Sequence, residues 1–227
     1  MTASSDASAG ATDPSVGDTT GGDATTTGDL STTSTVAADP SAGGPPDLVV
    51  LVGKLELAVA EERWRTPEDQ CAADYAAQIE AADPKSEDLK RIRKQAAETL
   101  KARAELAAAA KHWHDAVEAY RDLYALWPDY KAIHKPFGEA LQQEAKILRY
   151  LKDPVQLGMV ADDILRLSPK NFEAVMLRGE ALEGQGLWPE AAEAYQLAKK
   201  LKPSDKSVKD AIARVEKRQK AMGVVPH

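Results

Sequence analysis

The chain has 227 residues, 43% of them hydrophobic, and a formal net charge of -7. That length allows one or two domains. No apolar run approaches the roughly 18–20 residues that a membrane-spanning helix needs, the longest candidate being the five residues Leu48–Val52. A single cysteine, Cys71, excludes an internal disulfide and fits a reducing compartment.

The charge is unevenly spread. Residues 1–47 are almost wholly Ser, Thr, Gly, Ala, Asp and Pro, with seven Asp and no Glu, Lys or Arg. The other 180 residues carry 29 basic and 29 acidic side chains, so the net charge resides in the tail. The tail holds one leucine and no aromatic residue. Ordering it would cost roughly 1–2 kcal/mol per residue against almost no burial. Residues 1–46 are therefore expected to be a disordered acidic arm. Its start, MTASSDASAG, lacks the basic and apolar regions of a signal peptide. This predicts a cytoplasmic protein. The alternative is export or lipid anchoring with a start further upstream, since Thr/Gly/Asp-rich linkers also follow such signals. The Ala and Asp usage points to a GC-rich bacterial genome.

From Leu48 onward, strong helix formers dominate, and Pro and Gly fall between periodic stretches. Pro45-Pro46-Asp47 sets up a helix start with Asp47 as N-cap. Four segments align on closing prolines: 53–86 (Pro84), 97–130 (Pro128), 138–171 (Pro169) and 172–205 (Pro203). Each proline ends a helix because it lacks the N–H and clashes with the preceding turn. Residues 131–137 break the period and either lengthen a helix or bend the array. From Ser204 to about Met222 one more helix is expected. Val208, Ala211, Ile212 and Val215 would face inward, with Lys206, Lys209, Lys217 and Lys220 outward.

The segment 172–205 resembles a tetratricopeptide repeat. Gly179, Gly186, Trp188, Ala191, Tyr195, Ala198 and Pro203 occupy that family's eighth, fifteenth, seventeenth, twentieth, twenty-fourth, twenty-seventh and thirty-second positions, while Val175 stands where the family has an early tryptophan. Ala104, Trp113, Ala116, Tyr120, Leu123 and Pro128 fill equivalent places in 97–130. The other two segments follow by phase. The resemblance implies an all-α solenoid of about four antiparallel helix hairpins. A C-terminal cap helix completes the domain at residues 47–222, the disordered tail precedes it, and residues 223–227 form a flexible C-terminus.

The family's groove positions map onto Lys54, Leu57, Glu61 and Trp64; Glu98, Lys101, Glu105 and Ala108; Glu139, Gln142, Lys146 and Arg149; and Glu173, Met176, Glu180 and Glu183. The resemblance thus implies a non-catalytic interaction module or scaffold that captures a peptide or partner helix. Trp64 and Met176 would be apolar anchors. Lys54, Glu98, Lys101, Glu105, Gln142, Lys146, Arg149 and Glu180 would set charge and polarity. Chaperone adaptors of the family hold a terminal carboxylate in a Lys/Asn/Asn/Lys/Arg clamp. Here those places are Lys101, Glu105, Gln143, Glu173 and Leu177. Only Lys101 fits, and two glutamates would repel a carboxylate.

Catalytic and cofactor chemistry has little support. His112 and His114 flank Trp113 but point apart on a helix, and no zinc-ligand spacing exists. Cys71 beside Ala72 reads as a buried inert thiol. There is no strand-borne phosphate loop and no nucleophile with an aligned base. The run Lys90-Arg91-Ile92-Arg93-Lys94 and the cap helix are basic, yet the domain is neutral and no aromatic stacking set accompanies them. Nucleic acid is therefore disfavoured as a partner. The alternative readings are self-association through the end helices, or a basic surface for nucleic acid or anionic membrane.

Overall fold

The computed structural model describes residues 47–223. The expectations for residues 1–46 and for 224–227 lie outside the described residues. Nine α-helices occur among the described residues: α1 (Leu48–Ala60), α2 (Ala72–Ala82), α3 (Glu87–Ala109), α4 (Trp113–Leu126), α5 (His134–Leu151), α6 (Pro154–Leu167), α7 (Phe172–Gly184), α8 (Trp188–Leu201) and α9 (Lys206–Ala221). They form four successive hairpins and a final helix, each packed mainly on its neighbours. None is long and apolar enough to cross a membrane.

Local chemistry sets the element ends. Pro84, Pro128, Pro169 and Pro203 each stand two residues past the end of α2, α4, α6 or α8. The first helix of each hairpin and the final helix make five starts, and four of these are capped by a short polar side chain. Asp47 Oδ1 accepts from the Val49 N–H at 2.9 Å, and Ser86 Oγ from Leu89 at 3.3 Å. Asn171 Oδ1 accepts from Ala174 at 3.0 Å, and Asp205 Oδ1 from Ser207 at 2.8 Å. Each satisfies an amide that the helix itself leaves open. The exception is α5, which is led in by a 3-10 turn, Lys131–Ile133. Residues 134–137 therefore lengthen α5 at its start, and residues 131–133 form the turn that leads into it.

Inside the hairpins, the chain reverses through one left-handed residue: Lys111 (φ 62°), Lys152 (φ 56°) and Gly186 (φ 78°). Glycine occupies it once; the two lysines pay a small steric penalty there. The first hairpin starts the same reversal at Glu62 (φ 53°) and then inserts residues 63–71 before α2.

This insertion corrects the expected phase. The first hairpin begins at Leu48, five residues before the expected boundary, and α1 stops at Ala60. The second begins at Glu87 rather than 97, because the basic run forms the opening turns of a 23-residue α3. The fourth, 172–205, matches the expected boundaries.

The core is built from small residues facing large ones. Tyr195 and Tyr120 are each 1% exposed, and Ala104, Ala116, Ala191 and Ala198 are fully buried. The Tyr195 ring lies directly over Gly179, so closely that a β-carbon there would come within 2.5 Å of Cε1. Tyr120 packs beside Phe137, ring centroids 5.6 Å apart, and so joins α4 to α5. Arg93 is buried. It donates from Nε to the Leu126 carbonyl at 2.9 Å and from Nη2 to Glu80 at 2.8 Å. A cation on the last carbonyls of α4 is favourably placed for the helix dipole.

On the face made by the second helices, arginines pair across hairpins. Arg65, in the inserted loop, bonds Asp122 at 2.6 Å and Glu118 at 2.5 Å. Arg121 bonds Glu118 and, at 2.6 Å, Asp163 of α6, with both side chains of that second pair 8% exposed. These guanidiniums offset the burial that would raise Glu118, and leave its carboxyl below the usual range. Burial prevails at Asp122, whose carboxyl is raised despite Arg65.

A candidate groove between the first helices of the last two hairpins

The first helices α5 and α7, together with the start of α9, enclose an open cavity of about 400 Å³. Its polar wall on α5 is Gln142, Lys146 and Arg149, and its wall on α7 is Asn171, Phe172, Glu173 and Met176. Buried Ala145, Ile164, Ala174 and Leu177 form the apolar floor, and Ser207 closes the α9 side. The spacing explains the convergence. Gln142, Lys146 and Arg149 lie at i, i+4 and i+7 on α5, and Phe172 and Met176 at i and i+4 on α7, so each set shares a helix face.

The charges are mixed. Arg149 donates to Glu180 Oε2 from Nε at 2.9 Å and from Nη2 at 2.5 Å, tying α5 to α7 at the groove's end. Lys146 bonds only the neutral Gln143 Oε1, at 3.2 Å, and Glu173 forms no ion pair among the described residues. One unspent cation and one unspent carboxylate therefore face the cavity from opposite walls. Lys202 Nζ sits 4.1 Å from the Phe172 ring centroid, on the ring's attractive face.

The structure brings together Gln142, Lys146, Arg149, Met176 and Glu180. It does not bring the remaining candidates to this cavity. Lys54 on α1 lies 5.9 Å from the Tyr75 ring centroid. Lys101 pairs with Glu105 of the same helix at 3.6 Å, and Glu98 is exposed on α3. Trp64 is a correction: instead of anchoring a groove it is 7% exposed and packed in the core. It belongs to the inserted loop and not to the first helix, so the helical phase did not apply to it. Phe172, Asn171 and Ser207 were missed. Phe172 was readable, since it stands one turn before Met176.

The other chemical candidates resolve as follows. His114 Nδ1 lies 3.2 Å from Glu144 Oε1, and His112 Nδ1 3.9 Å from Asp115. Among the described residues no three His, Cys, Asp or Glu side chains converge as metal ligands. Cys71 is 2% exposed, and its Sγ lies 2.8 Å from Asp74 Oδ2. Burial, helped by that carboxylate, pushes the thiol up and suppresses the reactive thiolate. Most of the basic run is spent internally. Lys90 pairs with Glu87, Arg91 with Glu56 and Asp88, and Arg93 with Glu80, while Ile92 is buried.

The four hairpins, Tyr195 seated over Gly179 and the terminal helix constitute a tetratricopeptide-like helical-repeat fold. The sequence matches no family model and no curated protein. Among solved structures it is similar to the "Arabidopsis OM64 TPR domain", with 25% identity over 56% of this chain and 98% of that one, at a TM-score of 0.38. It is also similar to MamA, residues 41 to the end, from Desulfovibrio magneticus RS-1. That match has 18% identity over 80% of this chain and 97% of that one, at a TM-score of 0.34.

Proposed function

We propose that the chain is a non-catalytic protein-interaction module whose groove between α5, α7 and α9 receives an extended peptide or a partner helix. The supporting observation is the convergence of an apolar floor with an unspent Lys146 and an unspent Glu173 on facing walls. A ligand with one acidic and one basic side chain flanking an apolar one matches that pattern. The apolar residue would be seated beside Met176 and Phe172, where desolvation is greatest, and would carry most of the affinity. The two charges would set orientation and encounter rate.

A random-peptide display selection on the full chain tests this. Enriched peptides should bind at least about tenfold more weakly to a Lys146→Glu/Met176→Lys variant, a loss of about 1.4 kcal/mol or more, with helicity unchanged. Both substituted side chains are at least partly exposed, so the fold should tolerate them. No enrichment, or binding indifferent to the variant, would refute the groove. Binding that weakens steeply with salt and follows nucleic acid or anionic vesicles would favour the basic-surface alternative instead.

A further inference from the structure

The two ends of the helical array are chemically unlike. The last helix, α9, buries Val208, Ala211, Ile212 and Val215 and turns Lys206, Lys209, Lys217 and Lys220 to solvent. That is how a terminal helix is made soluble. The first helix, α1, does not follow this rule. Its sequence, LVVLVGKLELAVA, holds two charged residues, Lys54 and Glu56. Leu51, Leu55 and Ala58 face the core. On the opposite side Val49 is 80% exposed, Leu57 54% and Val50 51%, with Gly53 exposed between them and Ala60 exposed just beyond Leu57. Val49, Gly53, Leu57 and Ala60 follow one another at helical spacing, so they form a continuous outward stripe. Lys54 and Glu56 flank this stripe without interrupting it, and an apolar stripe on the side of a helix opposite its buried face marks a surface that a partner covers.

We infer that this stripe is covered by the α1 helix of a second copy of the chain. The chain's remaining segments do not match it. Residues 1–46 offer Met1, Val16, Leu30 and Val36 as their only apolar side chains larger than alanine or proline, and carry six aspartates. The outer face of α9 on another copy is basic, so a head-to-tail stack would bury lysines against valines at a large desolvation cost. A second α1 presents an apolar surface of the same length. Such like-to-like contact is isologous and closes at two chains. Gly53 lies at the midpoint of the Val49–Leu57 stripe, and a β-carbon there would meet nothing within 4 Å. Two helices crossing at that point can approach closely. A single helix face of this length is smaller than a standard stable interface, so the pairing is weak and reversible.

Sedimentation of the full chain from about 5 to 500 µM reads this directly, a range that brackets weak association. The mass should rise from one chain to two. A Val49→Lys/Leu57→Lys variant should stay monomeric, with association at least about tenfold weaker. Both positions are exposed, so circular dichroism should be unchanged. Independently, a Gly53→Cys variant should form a disulfide-linked dimer under mild oxidant, and an Ala213→Cys variant on α9 should not. A wild-type mass of one chain throughout would overturn the inference. So would growth beyond two chains, association that survives the double lysine variant, or equal cross-linking at Gly53 and Ala213. The readout is separable from the groove, which the α1 substitutions do not touch.

Discussion

Replacing Gly179 by alanine tests the repeat packing at its tightest point. The added β-carbon would fall 2.5 Å from Tyr195 Cε1 and 2.8 Å from Cδ1 and Cζ. The ring is 1% exposed and cannot swing outward. It is also held at its far end, where its hydroxyl donates to Glu183 Oε2 at 3.0 Å. Glu183 in turn accepts both Nε and Nη2 of Arg214 at 2.6 and 2.7 Å, which fastens α9 to α7. The methyl must therefore push apart α7 and α8 or break the tyrosine's hydrogen bond. Overpacking costs about 1–3 kcal/mol, and a contact this short against a buried ring belongs in the upper half of that range, about 2–3 kcal/mol, while alanine's better helix propensity returns about 1 kcal/mol. The expected net loss is about 1–2 kcal/mol. With a urea slope of about 2 kcal/mol/M, the midpoint falls by roughly 0.5–1 M. A Tyr195→Leu substitution, which makes room, should render the second change at Gly179 nearly neutral. An unchanged or raised midpoint for Gly179→Ala alone would refute the close approach of α7 and α8.

Two further outcomes are expected. Asp163→Ala leaves the Arg121 guanidinium buried with Glu118 as its remaining acid, and should lower stability by about 3 kcal/mol; adding Arg121→Leu should recover most of that loss in urea titrations. The Arg214 bonds, against the opposing effect of burial, hold the Glu183 carboxyl below its ordinary value of 4.5. A depressed carboxyl stabilises the fold above the unfolded-state value, and that contribution is lost as pH falls through the folded one. Arg214→Leu should thus cost about 1 kcal/mol or less near neutral pH, because the arginine is half exposed. Its melting curve should converge on the wild type's as the pH falls below the carboxyl's depressed value; a gap that widens on acidification would contradict this assignment.

The repeat array was legible because its signals are local. A proline two residues past each hairpin and a polar cap at the next helix act within a few residues, and Gly179 and Tyr195 mark one hairpin's close approach by their type. Glu62, Trp64 and Pro67 show where this runs out. The closing Pro84 set the phase, and nothing nearby announced that the turn at Glu62 would continue for nine more residues. Pro67 was the visible warning, since it cannot sit comfortably inside the helix that the phase assumed. The groove was half legible. Periodicity placed Gln142, Lys146 and Arg149 on one face, but whether that face met Met176 or Lys101 depended on how hairpins stack. The Arg121–Asp163 pair spans 42 residues and two helices, and no spacing rule reaches that far.

The cap helix has a thermodynamic consequence. Among the helices, α9 rests chiefly on α8, with Arg214 as its tether to α7. Terminal elements of a nearest-neighbour array detach at lower free energy than the whole chain unfolds. Because Ser207 supplies one wall of the groove, detachment of α9 dismantles that wall. Any ligand that touches Ser207 must then favour the attached state by its own differential affinity. Amide hydrogens of α9 would exchange more slowly in its presence, so the end of the chain becomes a reporter of occupancy in the groove.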